Sequence, residues 1–98
     1  MPDADHLTLK WTNSALADVK RLRDFIEPHN PEAARRAAAS LKQAAHRLLA
    51  FPGIGTRLEG RQDREVFVPF GRRGYVIRYR IEGDEVVILK VWHGLEDR

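Results

Sequence analysis

Tyr75-Val76-Ile77-Arg78-Tyr79-Arg80-Ile81-Glu82-Gly83-Asp84-Glu85-Val86-Val87-Ile88-Leu89-Lys90-Val91-Trp92-His93 is the stretch that decides the fold. Two β-forming runs, each close to apolar/polar alternation, flank a Gly-Asp pair, the pattern of an antiparallel hairpin with one face buried and one open. The predicted strands run from Arg73 to Ile81 and from Glu85 to His93. Which side chains share a face depends on the loop, because a change of one residue flips one strand relative to the other. A two-residue loop, Gly83-Asp84, sets Arg78 and Arg80 beside Val87, Leu89, Val91 and His93. A three-residue loop, Gly83 to Glu85, gathers Tyr75, Ile77, Tyr79 and Ile81 with Val87, Leu89 and Val91 on the buried face. It leaves Arg78, Arg80, Lys90 and Trp92 outside. The three-residue loop separates apolar from charged residues better and is the expected register.

Outward from the hairpin, Glu65-Val66-Phe67-Val68-Pro69-Phe70 reads as a strand that Pro69 confines to an edge or an end, and Gly71-Arg72-Arg73-Gly74 as a turn. Residues 56–64 are polar and cationic, a loop or an irregular strand. Asn30-Pro31-Glu32 is a helix start, with Asn as cap, Pro at the first helical position and a carboxylate near the positive end of the dipole. The helix it opens has a stripe of Ala34, Ala37, Ala38, Leu41, Ala45 and Leu48, small enough for another backbone to approach closely. It ends at Phe51-Pro52-Gly53-Ile54-Gly55, where Phe51 and Ile54 are expected to fold back on the helix ends. An earlier helix is capped by Thr12-Asn13-Ser14, carries Leu16, Val19, Leu22 and Ile26 on one face, and stops near Glu27 before Pro28. Leu7, Leu9 and Trp11 alternate as a first strand. The order predicts an α+β domain: an N-terminal strand and an antiparallel helical hairpin packed on a largely antiparallel four-stranded sheet, β-α-α-β-β-β.

The 98 residues make one domain, 1–98, with a single modest core. A net charge of +3 and a pI near 9.7 favour a polyanion or an acidic protein as partner. Without cysteine there is neither a disulfide framework nor a thiolate metal site. Met1-Pro2-Asp3-Ala4-Asp5-His6 is too acidic and polar for a secretory signal, and no run approaches membrane-spanning length, so a cytoplasmic protein with no membrane association is expected. His6, His29 and His46 show no metal-ligand spacing, and neither metal nor cofactor is expected.

The whole chain resembles the RelE/ParE superfamily of toxins from bacterial type II toxin–antitoxin operons, closer to the ParE branch. The resemblance rests on Leu9-Lys10-Trp11-Thr12 with Ala15-Leu16-Ala17-Asp18-Val19, on Asn30-Pro31-Glu32-Ala33-Ala34-Arg35 and on Leu48-Leu49-Ala50-Phe51-Pro52-Gly53-Ile54-Gly55. It continues through Tyr75 to Asp84 and Ile88-Leu89-Lys90-Val91-Trp92-His93-Gly94 to Asp97. It implies a toxin neutralised by a cognate antitoxin in a hetero-oligomer, a partly disordered antitoxin segment covering the functional surface. ParE-branch members inhibit DNA gyrase as binders. RelE-branch members cleave messenger RNA on the ribosome.

Two site chemistries follow. Metal-free RNA cleavage needs an acid/base and cations for the developing phosphorane charge; His93 with Arg78, Arg80 and Arg61 is the candidate catalytic set. A binder instead uses Arg57, Arg61, Arg78, Arg80, Lys90 and Trp92 to hold a target or the antitoxin, the planar arginine forks gaining from bidentate contacts. Some RNA-cleaving relatives place a tyrosine or second catalytic group just after the terminal histidine. Here Gly94 follows and the chain ends at Arg98, which tips the expectation toward a binder over an endoribonuclease. Arg35, Arg36, Lys42 and Arg47 read as the wet face of the second helix.

Overall fold

The computed structural model describes residues 7–94; His6 and the closing residues 95–98 lie outside them. Strand β1 (Thr8–Trp11) leads into helix α1 (Asn13–Ile26) and helix α2 (Pro31–Arg47). Strands β2 (Thr56–Arg57), β3 (Arg64–Val68), β4 (Tyr75–Glu82) and β5 (Glu85–His93) follow. The sheet order is β1-β5-β4-β3-β2, with β1 parallel to β5 and every other pairing antiparallel. The architecture is the α+β one expected, and the two-residue β2 adds a fifth strand to the four read from sequence.

Both helices start where their caps dictate. The Thr12 hydroxyl accepts from Ala15 N at 3.0 Å, and Asn30 Oδ1 accepts from Ala33 N at 3.0 Å with Pro31 just inside the helix. The helices cover one face of the sheet. Ala37, Leu41, Ala45 and Leu48 from α2 and Ala15 and Leu22 from α1 meet Val68, Tyr75, Ile77, Tyr79, Val86, Ile88 and Val91 in one core. Leu16 departs from the expected stripe: Ala15 faces inward in its place, because a methyl group lets the start of α1 lie close to the sheet, and Leu16 is left exposed. Phe51 and Ile54 also stay exposed instead of folding back. The cover over that helix end comes from Tyr79, whose hydroxyl donates to Pro52 O and accepts from Gly55 N, both at 2.8 Å. A Cβ at Gly55 would lie 2.6 Å from that hydroxyl, so only glycine permits the approach.

The hairpin corrects the expected register. Glu82 pairs with Glu85, so the loop is the two-residue Gly83-Asp84, with Gly83 at φ +58°. Tyr79 faces Ile88 and Ile81 faces Val86, but Arg78 faces Lys90, so Leu89 is an extra residue forming a β-bulge. The bulge shifts the phase of β5. Before it, Val86 and Ile88 point to the core; after it, Val91 and His93 do. Tyr75, Ile77 and Tyr79 are therefore buried as expected, while Arg78, Lys90 and Trp92 share the outer face, as a three-residue loop would have arranged. Val87 is buried on the outer face, flanked in register by Arg80 and Lys10 rather than in the main core.

Helix α1 holds the bulge in place. β1 ends opposite Ile88, leaving the rest of that edge of β5 without a strand partner among the described residues. Thr12 N donates to Ile88 O, Thr12 Oγ1 donates to Leu89 O at 3.1 Å, and Asp18 Oδ2 accepts from Val91 N at 3.0 Å. The backbone groups freed by the irregular strand are thus satisfied by the amide and hydroxyl of Thr12, the cap of α1, and by the side chain of Asp18 within it.

Candidate functional site

Pairing across β3, β4 and β5 sets three rows on the outer, helix-free face of the sheet. Phe67, Val76 and Trp92 form one; Glu65, Arg78 and Lys90 the next; Arg80 and Val87 the third. The expected basic face exists, but most of its cations are already engaged. Arg78 Nε and Nη2 reach Glu65 Oε2 at 3.0 and 2.8 Å, and its guanidinium lies 4.7 Å from the Trp92 ring centroid. Salt bridge and cation–π contact hold the guanidinium over the indole.

Arg80 is held through a different carboxylate. Its Nε and Nη2 both lie 2.8 Å from Asp63 Oδ1, and Nη1 reaches Glu82 Oε1 at 3.2 Å. The hydrogen bonds to Asp63, then those to Glu82, raise the guanidinium pKa and keep it firmly charged. Asp63 is fully buried, and Arg61 binds its second oxygen. Leu58 N donates to Asp63 O and Arg61 N to Leu58 O, so residues 57–63 close on this carboxylate as a compact loop. Arg57 lies against the same loop, its Nε 3.4 Å from Arg61 O. Arg64 ties the loop to the α2 exit through Gly55 O at 2.9 Å. Lys90 is exposed and forms no ion pair among the described residues.

His93 stands on the opposite face. It pairs with buried Tyr75, their rings packed edge to face with centroids 5.7 Å apart. The following glycine has a structural reason: Gly94 N donates to Gly74 O at 2.9 Å, and a Cβ at Gly94 would fall on the carbonyl oxygen of Arg73. The sheet therefore brings Arg61, Arg78, Arg80, Lys90 and Trp92 to one side with Arg57 nearby, and leaves His93 on the other. Among the described residues no cluster of His, Asp or Glu could hold a metal ion, and no helix is long and apolar enough to cross a membrane.

Beside His93 lies a surface that sequence reasoning missed. A groove of about 720 Å³ runs between the last turns of α1 and the β3–β4 turn. Leu22, Phe25, Ile26, Phe70 and Tyr75 make it mainly apolar, with Arg21, Arg72 and Arg73 at its margin. Phe25 is 79% exposed. Its place just outside the Leu22–Ile26 stripe, together with Arg72-Arg73 in a turn, was the available signal. The clamping carboxylates Asp63 and Glu65 were also missed, for they lie 17 and 13 residues from their arginines.

The model of the ParE toxin of type II toxin–antitoxin system, parDE, matches residues 9–98. Toxin RelE1 of Caulobacter vibrioides is 39% identical over 93 residues, spanning 89% of this chain and 99% of that protein. Toxin RelE3 of the same organism is 37% identical over 84 residues, spanning 86% and 90%. A solved structure titled as the chromosomal ParDE TA system from P. aeruginosa superposes with a TM-score of 0.77 at 26% identity, covering 90% of this chain and 96% of that one.

Proposed function

This chain belongs to the ParE toxin family of type II toxin–antitoxin systems, and we propose that it acts by binding and inhibiting DNA gyrase until a cognate antitoxin covers it. The observation that supports binding over RNA cleavage is the division of the candidate groups by the sheet. His93 packs on Tyr75 on the helix side, while Arg78 and Arg80 lie outside and are held by Glu65 and Asp63. Cleavage of RNA requires a proton-transfer group and the charge-stabilising cations around one phosphate. Binding requires only a preorganised surface. The Arg78–Trp92 stack, exposed Lys90 and the Arg57–Arg61 loop offer one, rigid before the partner arrives.

In this reading the target meets the outer face of the sheet, and an acidic antitoxin segment forms a hetero-oligomer with the toxin. Neither metal nor cofactor is required. The test sets a gyrase supercoiling assay beside a ribosome-dependent messenger-RNA cleavage assay, both with purified protein. Supercoiling is expected to fall with increasing toxin, and His93→Ala to retain inhibition. Growth arrest with intact supercoiling, or transcripts cut in a His93-dependent way, would refute the gyrase reading.

A further inference from the structure

A helix face in water ordinarily mixes its charges, and α1 does so: Lys20 reaches Asp24 at 2.8 Å, Arg21 reaches Asp18 at 3.6 Å and Arg23 reaches Glu27 at 3.9 Å. The solvent face of α2 does not. Glu32, in its first turn, is the one carboxylate of that helix, and Arg35 takes it at 3.2 Å. The helical spacing sorts the remaining polar side chains into two rows. Arg36, Gln43 and Arg47 form one, and Arg35, Lys42 and His46 the other, each with steps of seven and four residues that return to the same side of the helix. All six are exposed, and a shallow depression is bordered by Lys42, Gln43, His46 and Arg47. Arg36, Lys42 and Arg47 form no ion pair among the described residues.

From this arrangement we infer that the solvent face of α2 is a docking surface for the phosphate backbone of a double-stranded nucleic acid. Cations without carboxylates between them gain nothing from helical pairing and match a ligand that carries negative charge along its length. What the face lacks decides which polyanion that is. A protein interface needs a buried apolar anchor, and α2 offers none to solvent: Leu41 points into the core, and Ala39 and Ser40 lie between the rows. A single strand is held by stacking its bases on aromatic rings, and α2 contains no aromatic residue of that kind besides the imidazole of His46. A duplex keeps its bases inside and presents phosphates, which ask only for cations and polar donors such as arginine, lysine and glutamine. Arg36 and Arg47 lie about 16 Å apart along the helix axis, and a duplex carries one charge per roughly 1.7 Å of its own axis, so several phosphates fall within reach. The opposite side of α2 packs on the sheet, which places this face away from Arg78 and Trp92. The inference is therefore independent of what meets the outer face of the sheet.

The experiment titrates the full chain into labelled short DNA and RNA duplexes, the matching single strand and poly-glutamate, and follows binding by fluorescence anisotropy across a series of salt concentrations. For the duplex, the logarithm of the binding constant should fall against that of salt with a slope of about −3, from the three unpaired cations. Arg36→Gln combined with Arg47→Gln should bring the slope to about −1 and weaken binding at low salt by about tenfold or more. Arg72→Gln combined with Arg73→Gln removes the same charge from two exposed arginines in the β3–β4 turn and should change it less than about threefold. Lysine acylation supplies a measurement independent of substitution: bound duplex should shield Lys42 and leave Lys10 and Lys90, on the sheet, reactive. Tighter binding of the DNA or of the RNA duplex supports the inference and identifies the polynucleotide. No binding at low salt, equal losses in the two double variants, tighter binding of the single strand or of poly-glutamate, or shielding of Lys90 without Lys42 overturns it. None of these outcomes involves supercoiling, so the gyrase reading is decided by its own assay.

Discussion

On the outer face of the sheet, Arg78 and Arg80 each lie within 3.0 Å of a carboxylate, whereas at the groove Arg72 and Arg73 pair with none among the described residues. The same side chain does two jobs. Where an arginine is clamped, its removal should be felt mainly in folding; where it stands in water beside exposed aromatic surface, mainly in association. Net charge cannot tell these regions apart. Stability measurements across both can, and they should fall into a graded series.

Asp63→Ala should give the largest loss. It removes a fully buried carboxylate that receives Arg61 and Arg80 and closes the loop of residues 57–63. Deleting one partner of a buried ion pair commonly costs 3–5 kcal/mol, but these arginine side chains are 52% and 36% exposed and can turn to water. The expected loss is therefore about 2–3 kcal/mol, read from denaturant unfolding. A change within about 0.5 kcal/mol would erase the distinction between clamped and free arginines.

Tyr79→Phe comes next, at about 2 kcal/mol, because it leaves Pro52 O and Gly55 N without their partner. The same hydroxyl gives a pH dependence. Burial raises the pKa of both Tyr75 and Tyr79 above the ordinary 10.0. The native state keeps these protons more firmly than the unfolded chain. Their contribution is therefore complete below pH 10 and is lost as pH rises beyond it through the folded values. Melting temperature should fall above pH 10, and less steeply in Tyr79→Phe. An identical alkaline slope in the variant would remove Tyr79 as its source.

How far the sequence carried this division depends on the range of each interaction. Caps, turns and the alanine stripe are local, so Thr12, Asn30, Ala37 and Leu41 were legible and set both helices. The hairpin strands were legible too, but the bulge was not. Val86-Val87-Ile88-Leu89 is apolar throughout and contains no phase signal, and the shift at Leu89 depends on hydrogen bonds from Thr12 and Asp18, more than 70 residues away. Phe51 and Ile54 stay exposed, and the contact made at that helix exit is the distant one from Tyr79 to Pro52. In the candidate site, residue types were legible and their commitments were not: Arg78 and Arg80 lay outside as read, already joined to Glu65 and Asp63.

Arg78→Ala sharpens the contrast at a smaller magnitude. Its ion pair with Glu65 is four-fifths buried and it stacks on Trp92, so about 1 kcal/mol of stability should be lost, visible as a shifted denaturant midpoint with an unchanged slope. Lys90→Ala, one strand over in the same row, should change stability by less than about 0.5 kcal/mol. Equal losses at the two positions would mean that the clamp contributes nothing beyond a surface charge.

Phe25→Ala carries the smallest expected effect on folding and the most pointed one for the comparison. With 79% of its surface already in water, the phenyl ring has little burial to lose, and alanine suits the α1 interior at least as well as phenylalanine. Stability should stay within about 0.5 kcal/mol of the unmutated chain, or rise slightly. That neutrality separates a side chain standing at the surface from a piece of the core. A loss above about 1 kcal/mol would instead make Phe25 part of the packing at the end of α1, and the groove an incidental gap in it.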